Sequence, residues 1–324
     1  MKLTIAVPTY NRGKYILKSL NSILEQLTDD IEVIVCDNAS TDDTKEVLQP
    51  LIQCNKISYY CAESNGGMDF NFLSCLEHAK GDYVLLFSDD DYLLDGAINH
   101  IIDLINYEKP DYINLNSAIF EKSINEATIP RLKILGDNDL ITYDKNLFIK
   151  TLGFSITYLS ATIIKKELFL NIQNPKKYYG TYFLHAHIAL ETMNGNKKMI
   201  VTKNPYVAAR MGNSGGFNLY EVWVHQYKKL LLDTAVKNGF SKKTMESIYK
   251  KDINGFIRDS IKCYRLDKSK PYDMRCNHIL YENTKEYFSV WIKTFPIAFA
   301  PSFIIKILNR IEWRMKKIFH NKGD

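Results

Sequence analysis

The stretch Gly81-Asp82-Tyr83-Val84-Leu85-Leu86-Phe87-Ser88-Asp89-Asp90-Asp91 constrains this chain more than any other, because an apolar run ends there in three consecutive carboxylates. Such a run, bounded by polar residues, reads as a buried strand, Tyr83 to Asp91. Adjacent carboxylates repel one another, so a chain that sets three of them at the end of a buried strand needs a compensating cation, most simply a bound metal. Oxygen-only ligands suit Mg2+ or Mn2+, and an ion held by one or two carboxylates keeps positions open for substrate phosphates. An isolated Asp triplet also fits an acidic turn on a solvated loop. The rest of the chain decides between the two.

The preceding residues repeat one pattern. Leu3 to Val7 reads as a strand that stops at Pro8-Thr9-Tyr10-Asn11, where proline removes a ladder donor and hydroxyl, phenol and amide groups follow. Leu17, Leu20, Ile23, Leu24 and Leu27 then recur at helical spacing. A second strand, Ile31 to Cys36, ends in Asp37-Asn38, and Ser40-Thr41-Asp42-Asp43 resembles the cap of a helix carrying Val47 and Leu48. Ile57 to Cys61 is a third strand, Asn65-Gly66-Gly67 a tight turn, and Phe70, Leu73, Leu76 and Ala79 mark the next helix. Strands alternating with helices imply a mixed, mostly parallel, Rossmann-like α/β sheet whose polar strand ends gather along one edge. A lone Asp37 after an apolar strand is more often a helix cap than a ligand contact. Three polar tips, at Thr9 and Tyr10, at Asp37 and at Asp89–Asp91, point instead to a common ligand.

With 324 residues the chain is long enough for one enlarged domain or for a domain with an appendage. Its six cysteines show no CxxC pair, so neither a zinc site nor a disulfide framework is indicated and a reduced, cytoplasmic setting is expected. Leu3 to Val7 is too short for a signal-peptide core. The net charge of +5 hides an asymmetry: residues 1–100 hold seven Lys/Arg against sixteen Asp/Glu, and residues 241–324 hold eighteen against nine. The acidic end argues against a nucleic-acid surface, whereas the basic end suits phosphates or anionic lipid.

Val7-Pro8-Thr9-Tyr10-Asn11, Val35-Cys36-Asp37-Asn38-Ala39-Ser40-Thr41-Asp42, Asn65-Gly66-Gly67 and Gly81 through Ser88-Asp89-Asp90-Asp91, in that order and spacing, resemble family 2 glycosyltransferases over roughly the first hundred residues. The resemblance implies a GT-A fold and an inverting transfer of sugar from a nucleotide diphosphate. It implies that Pro8, Thr9, Tyr10, Asn11, Asp37 and Asn65 contact the nucleotide, with Asp37 accepting from a ring N–H of the base. The family's DXD-type motif falls on Asp89, Asp90 and Asp91, which would hold ribose, diphosphate and a Mn2+ or Mg2+ ion. Ser88 stands where many members carry the first Asp of that motif. The SDDD sequence with a basic tail is similar to transferases of bacterial surface polysaccharide synthesis, the abequosyltransferase-like branch included.

The second half is less regular. Ala97, Ile98, Ile101, Ile102 and Ile105 mark a helix, Tyr112 to Leu115 a strand, 121–145 a loop-rich insertion, and Ser155 to Ile164 a further strand before a helix from Lys165. An inverting transfer needs a base for the acceptor hydroxyl. Many family members place an acidic pair where this chain reads Gly180-Thr181-Tyr182-Phe183-Leu184-His185-Ala186-His187, so His185 becomes the expected base, with Glu191 and Asp69 in reserve, while a structural role fits either histidine as well. His185 and His187, two residues apart, would diverge on a helix and do not make a metal site. Arg210, Asn213 and Ser214 belong to a Gly-rich stretch suited to closing over a diphosphate or acceptor.

Residues 1–216 are thus expected to form the nucleotide-sugar and catalytic domain, and 217–324 a mainly helical region. Its apolar end is broken by Pro296, Pro301, Lys293 and Lys306 and falls short of the ~20 apolar residues of a spanning helix. From Ile304 an apolar stripe with Ile307, Leu308, Ile311, Met315 and Ile318 runs beside Lys306, Arg310, Arg314, Lys316 and Lys317, the pattern of an interfacial helix or of one packed on its own core or a second subunit. The expected function is metal-dependent glycosyl transfer to a glycan or polyprenyl-linked acceptor at the inner face of the cytoplasmic membrane. Two alternatives share the fold: a non-catalytic nucleotide-sugar or glycan-binding protein, and a sugar-nucleotide pyrophosphorylase, whose Gly-rich N-terminal phosphate loop is missing here. Donor, acceptor and oligomeric state are not legible.

Overall fold

A computed structural model describes the chain except for residue 122, residues 212–217, 268–272 and 308, and residues 311–324. Contacts divide it into two compact units, Met1–Gly215 with Thr234–Ser241, and Gly216–Asp233 with Lys242–Asp324.

The first unit is built on β1 (Leu3–Thr9), β2 (Ile31–Asp37), β3 (Ser58–Cys61), β4 (Tyr83–Leu86), β5 (Tyr92–Leu93), β6 (Tyr112–Phe120), β7 (Leu140–Thr142), β8 (Thr162–Lys165) and β9 (Met199–Arg210). They form one sheet in the order β3-β2-β1-β4-β8-β6-β9-β5, with β7 paired to β9. β1 to β4 are parallel to their neighbours in this set, β8 runs antiparallel between β4 and β6, and β6 is parallel to β9. This is the mixed, largely parallel α/β sheet expected. Helices α1 (Gly13–Leu24), α2 (Thr44–Gln53), α3 (Met68–His78), α4 (Ala97–Asp103), α5 (Lys145–Leu152), α6 (Lys166–Leu170) and α7 (Leu184–Thr192) flank it. Burial on both faces explains why β1 is apolar almost throughout, and why α1 turns Ile16, Leu20 and Ile23 into the same core as Ile5, Val7 and Val35.

Register fixes the functional edge. Thr9 lies opposite Asp37 and Ala6 opposite Leu86, and the Phe87 N–H still donates to the Ala6 carbonyl at 2.9 Å. The residues after β4 therefore run out beside the tip of β1.

Two sequence expectations change. The strand before the carboxylates ends at Leu86, so Asp89–Asp91 occupy a turn that leads into β5. The segment expected as a strand from Ser155 to Ile164 is helical turns over Gly153–Thr157 and Leu159–Ala161, with pairing only in β8. The cause is polar: the Ser160 hydroxyl receives the Ser88 N–H at 2.9 Å and itself donates to Asp91, which draws this stretch out of the ladder and under the acidic turn.

The second unit contains α8 (Lys242–Asp252), α9 (Arg258–Leu266), α10 (Asn277–Thr284), α11 (Phe288–Lys293) and α12 (Phe295–Phe299). Its core includes Tyr227, Tyr249, Ile253, Ile257, Leu280 and Val290, and the buried Tyr227 hydroxyl donates to Asp252 at 2.7 Å.

Candidate active site

Four loops at the sheet edge are tied to one another by side chains. At the end of β1, Asn11 takes a left-handed conformation (φ 54°); its N–H donates to the Ser40 hydroxyl, and its amide oxygen accepts the Thr41 N–H at 2.8 Å. Asp42 accepts from the backbone N–H groups of Gly13 and Thr44. Gly13 lets the two loops approach closely: a Cβ there would stand 3.1 Å from the Thr44 backbone nitrogen and would push the exposed Asp43 carboxylate aside. At the end of β2, the Asn38 amide donates to Asn65 Oδ1 and to the Gly67 carbonyl and accepts the Gly66 N–H, so the Asn-Gly-Gly turn hangs on one buried side chain. Asn71, on the first turns of α3, donates to the carbonyls of Thr9 and Cys36 and pins that helix against both strand tips.

The carboxylates differ sharply. Asp37 is buried; its Oδ1 accepts the Ser40 N–H at 2.8 Å and its Oδ2 the Tyr59 hydroxyl at 2.6 Å, which together with burial drives the phenol pKa far up. Asp89 accepts the Thr9 hydroxyl at 2.8 Å and faces Arg12 Nε at 3.7 Å. Burial, and then the neighbouring Asp90, push its carboxyl up to about 7 against the pull of Thr9 and Arg12. Asp90 is half-buried and accepts the Ser88 hydroxyl at 2.6 Å. Asp91 is built into the framework: Oδ2 accepts from Tyr158 at 2.7 Å and Ser160 at 2.6 Å, Oδ1 from the Arg210 N–H at 3.0 Å, and burial followed by Asp90 raises it to about 6.

These contacts correct part of the expected ligand set. Arg12 and four hydroxyl groups of the chain supply much of the compensation that the sequence assigned to a metal. Among the described residues no group of three His, Cys, Asp or Glu side chains is gathered for a metal ion. With Asp91 already accepting three hydrogen bonds from the framework, the less engaged oxygens suited to a hard divalent cation are those of Asp89 and Asp90. Such a pair fits Mg2+ or Mn2+ only in company with further oxygens, as from a diphosphate.

Arg210 closes the back of the turn. Its Nε donates to the Asp90 carbonyl, its guanidinium reaches the Tyr92 hydroxyl at 3.0 Å, and the rings of Tyr15, Tyr92 and Phe120 lie 4.9–5.7 Å from its central carbon. Asn213 and Ser214, expected beside it in a substrate loop, lie outside the described residues. Pro8 is buried in β1, while Tyr10 and Asn11 are exposed at the rim.

His185, expected as the base, lies in interior surroundings. It packs edge-on against Phe72, shares its Nε2 with the Thr157 carbonyl at 3.1 Å, and buries Nδ1 without a partner. It lines an apolar cavity with Leu76, Val84, Leu86, Leu159 and Ile188, below the strand ends, and burial lowers its pKa to about 4. His187 is likewise interior, bonded to Thr234 and stacked on Tyr178. Glu191 is held by Lys177 and Tyr178.

Asp69 occupies the more informative position. From α3 its carboxylate reaches the start of α7, accepting the N–H groups of Tyr182 at 2.9 Å and Leu184 at 3.1 Å. Burial raises its pKa despite those bonds. Tyr182 is held there at φ 65°, a conformation rare outside glycine. A carboxylate thus sits at the helix start where the sequence itself has no acidic residue.

A mixed, largely parallel sheet whose first and second strands, and the turn after the fourth, bring hydroxyl, amide and carboxylate groups to one edge, with flanking helices, is the architecture of a GT-A-type glycosyltransferase. The sequence model described as "Glycosyl transferase family 2" matches residues 4–172, and the chain belongs to that family. It is 28% identical over 271 residues to abequosyltransferase RfbV of Salmonella typhimurium, covering 78% of this chain and 81% of that protein. It is 32% identical over 182 residues to the GalNAc(5)-diNAcBac-PP-undecaprenol beta-1,3-glucosyltransferase of Campylobacter jejuni, a match spanning 55% of this chain and 56% of the relative. Among solved structures, S. aureus TarS 1-349 in complex with UDP-GlcNAc aligns at a TM-score of 0.56 and 22% identity, over 78% of this chain and 72% of that one. The mannosyltransferase PcManGT from Pyrobaculum calidifontis, in complex with GDP-Man and Mn2+, aligns at 0.52 and 14% identity over 97% of this chain and 80% of that one.

Proposed function

We propose that this glycosyltransferase moves a sugar, with inversion, from a nucleotide diphosphate to a hydroxyl of a glycan or polyprenyl-linked oligosaccharide in bacterial surface polysaccharide synthesis. The observation that carries the reading is the Thr9–Asp89 hydrogen bond beside Arg12, which joins the tips of β1 and β4 next to Asp37. Residues 1–216 would form the donor and catalytic domain and 217–324 its helical companion. Thr9, Tyr10, Asn11, Asp37 and Asn65 would line the nucleoside, with Pro8 shaping the turn beneath them.

Asp89 and Asp90 would hold a Mn2+ or Mg2+ ion together with the donor's diphosphate; when bound, the ion neutralises charge on the leaving group. Asp91 would act by fixing the turn. Asp69 takes the place expected for His185: its raised pKa and its seat at the start of α7 suit a base for the acceptor hydroxyl, whose proton it would accept as the sugar is attacked. Arg210 would stiffen the acidic turn from behind, with Asn213 and Ser214 following it in the chain. Among the described residues no helix is long and apolar enough to cross a membrane, so contact with a lipid-linked acceptor would be peripheral.

The test is a panel of UDP-, GDP-, dTDP- and CDP-sugars incubated with the protein and Mn2+, scoring nucleotide release. Slow hydrolysis of one donor, abolished in Asp90→Ala, supports the reading. No cleavage and no nucleotide binding, with or without metal, overturns it.

A further inference from the structure

The end of the second unit carries an apolar surface with no partner in the described chain. On α11, Phe288 is 77% exposed, Trp291 45% and Ile292 61%, a spacing of three and four that sets them on one helical face. Phe299 closes α12 at 46%, and the helical residues 302–307 add Phe303 at 65% and Ile307 at 51%. Buried Phe295 joins the groups, its ring 4.7 Å from Trp291 and 5.4 Å from Phe299. The Trp291 indole N–H is already given to the Lys285 carbonyl at 2.8 Å, so what it offers outward is apolar.

The charges around this face are mostly positive, although Lys285 is already paired with Glu282 at 2.6 Å and Glu286 with Lys228 at 2.8 Å. Exposed Lys285, Lys293, Lys306 and Arg310 accompany it, against Glu286 alone in residues 285–310. We propose that this face is a docking surface for an anionic lipid bilayer, with Phe288, Trp291, Ile292, Phe299, Phe303 and Ile307 entering the interface and Lys293, Lys306 and Arg310 meeting phosphate headgroups. Aromatic and aliphatic side chains ringed by Lys and Arg are what an interfacial element requires. A second copy of the chain is disfavoured, because a two-fold contact through the same patch would bring like charges together. The stripe expected from sequence alone began at Ile304; the exposed face begins earlier, at Phe288, and Leu308, Ile311, Met315 and Ile318 of that stripe lie outside the described residues. The proposal deepens the reading of a lipid-linked acceptor, but it is tested separately from it.

The experiment is co-sedimentation of the full chain with phosphatidylcholine vesicles, with and without about a third phosphatidylglycerol. Phe288→Ser/Ile292→Ser/Phe303→Ser is run alongside, with Lys293→Glu/Lys306→Glu as a second variant. The expected result is binding to the anionic vesicles, reduced at least about tenfold in the serine variant and lost in the glutamate variant. Melting temperature and vesicle-free donor hydrolysis should be unchanged in both. Equal binding by wild type and variants, or no binding by wild type, overturns the proposal. So does a wild-type dimer in light scattering that the serine variant converts to monomer, which assigns the face to a second copy. Intact hydrolysis with lost vesicle binding bears on the face alone. Vesicle binding without any donor cleavage bears only against the transferase reading.

Discussion

The Thr9 hydroxyl donates to Asp89 Oδ2 at 2.8 Å across eighty residues of chain, both groups buried. Removing the hydroxyl leaves a buried carboxylate oxygen short of a donor, a loss of about 1–3 kcal/mol. Thr9→Val should therefore weaken nucleotide binding roughly tenfold, as calorimetric titration would read, and should lower the urea midpoint. A variant with wild-type affinity would detach this bond from donor binding.

Asp90 and Asp91 should separate cleanly despite being neighbours. Asp91→Ala strands the Tyr158 and Ser160 hydroxyls and the Arg210 N–H, and is expected to destabilise the fold by about 2–4 kcal/mol. Asp90→Ala should change stability by no more than about 1 kcal/mol while removing Mn2+-dependent turnover. Thermal denaturation and a manganese titration on both variants distinguish them; equal destabilisation would contradict the division of roles.

A base and a core histidine respond differently to substitution. Asp69→Asn should reduce kcat by about 100-fold or more with the donor dissociation constant little changed. His185→Leu places an apolar group against Phe72 and the cavity, and should leave kcat within about threefold, since the imidazole is packed among apolar side chains. If the histidine variant loses turnover and the asparagine variant keeps it, the assignment is reversed.

Metal should bind weakly without nucleotide. Because Asp89 and Asp90 offer a partial oxygen set, Mn2+ affinity is expected to rise at least about tenfold when a nucleoside diphosphate is present, and by linkage the nucleotide should gain the same factor from the metal. Paired titrations in both orders measure it. Equal manganese affinity with and without nucleotide would point to a complete protein cage.

Asp252, in the second unit, gives stability a pH dependence. Burial raises its folded pKa to about 6 from 3.8, so the folded state holds the proton more tightly and stability falls as pH rises between those values. Asp252→Asn can still accept the Tyr227 hydroxyl and carries no charge. It should be more stable than wild type by on the order of 1 kcal/mol at pH about 7.5, with the difference vanishing near pH 4. Urea midpoints at the two pH values check it, and a pH-independent difference would remove the titration from the explanation.

What the sequence disclosed was the part written in local pattern. β1, β2 and β4 are apolar runs ending in polar groups, and their parallel order follows from the helices between them, so the convergence of Thr9, Asp37 and Asp89 was readable. The partners of those groups were not. Tyr59 on Asp37, Ser160 on Asp91 and Asp69 at α7 are joined across 22, 69 and 115 residues, and no periodicity encodes such pairs. His185 misled for the same reason: a histidine in the expected segment says nothing about which way its helix turns, and this one turns it inward. Arg12, next to Asn11, carried a faint signal as the first cation after a strand tip in an acidic region.

The ties among Asn11, Ser40, Thr41, Asp42 and Gly13, and those of Asn38 to the Asn-Gly-Gly turn, have a thermodynamic consequence for the nucleotide. The rim is ordered during folding, so its loops surrender their conformational freedom before any ligand arrives. If the rim holds the donor as proposed, association would spend little entropy on shaping the pocket, and discrimination among nucleobases would fall to rigid groups such as Asp37, itself held by Tyr59.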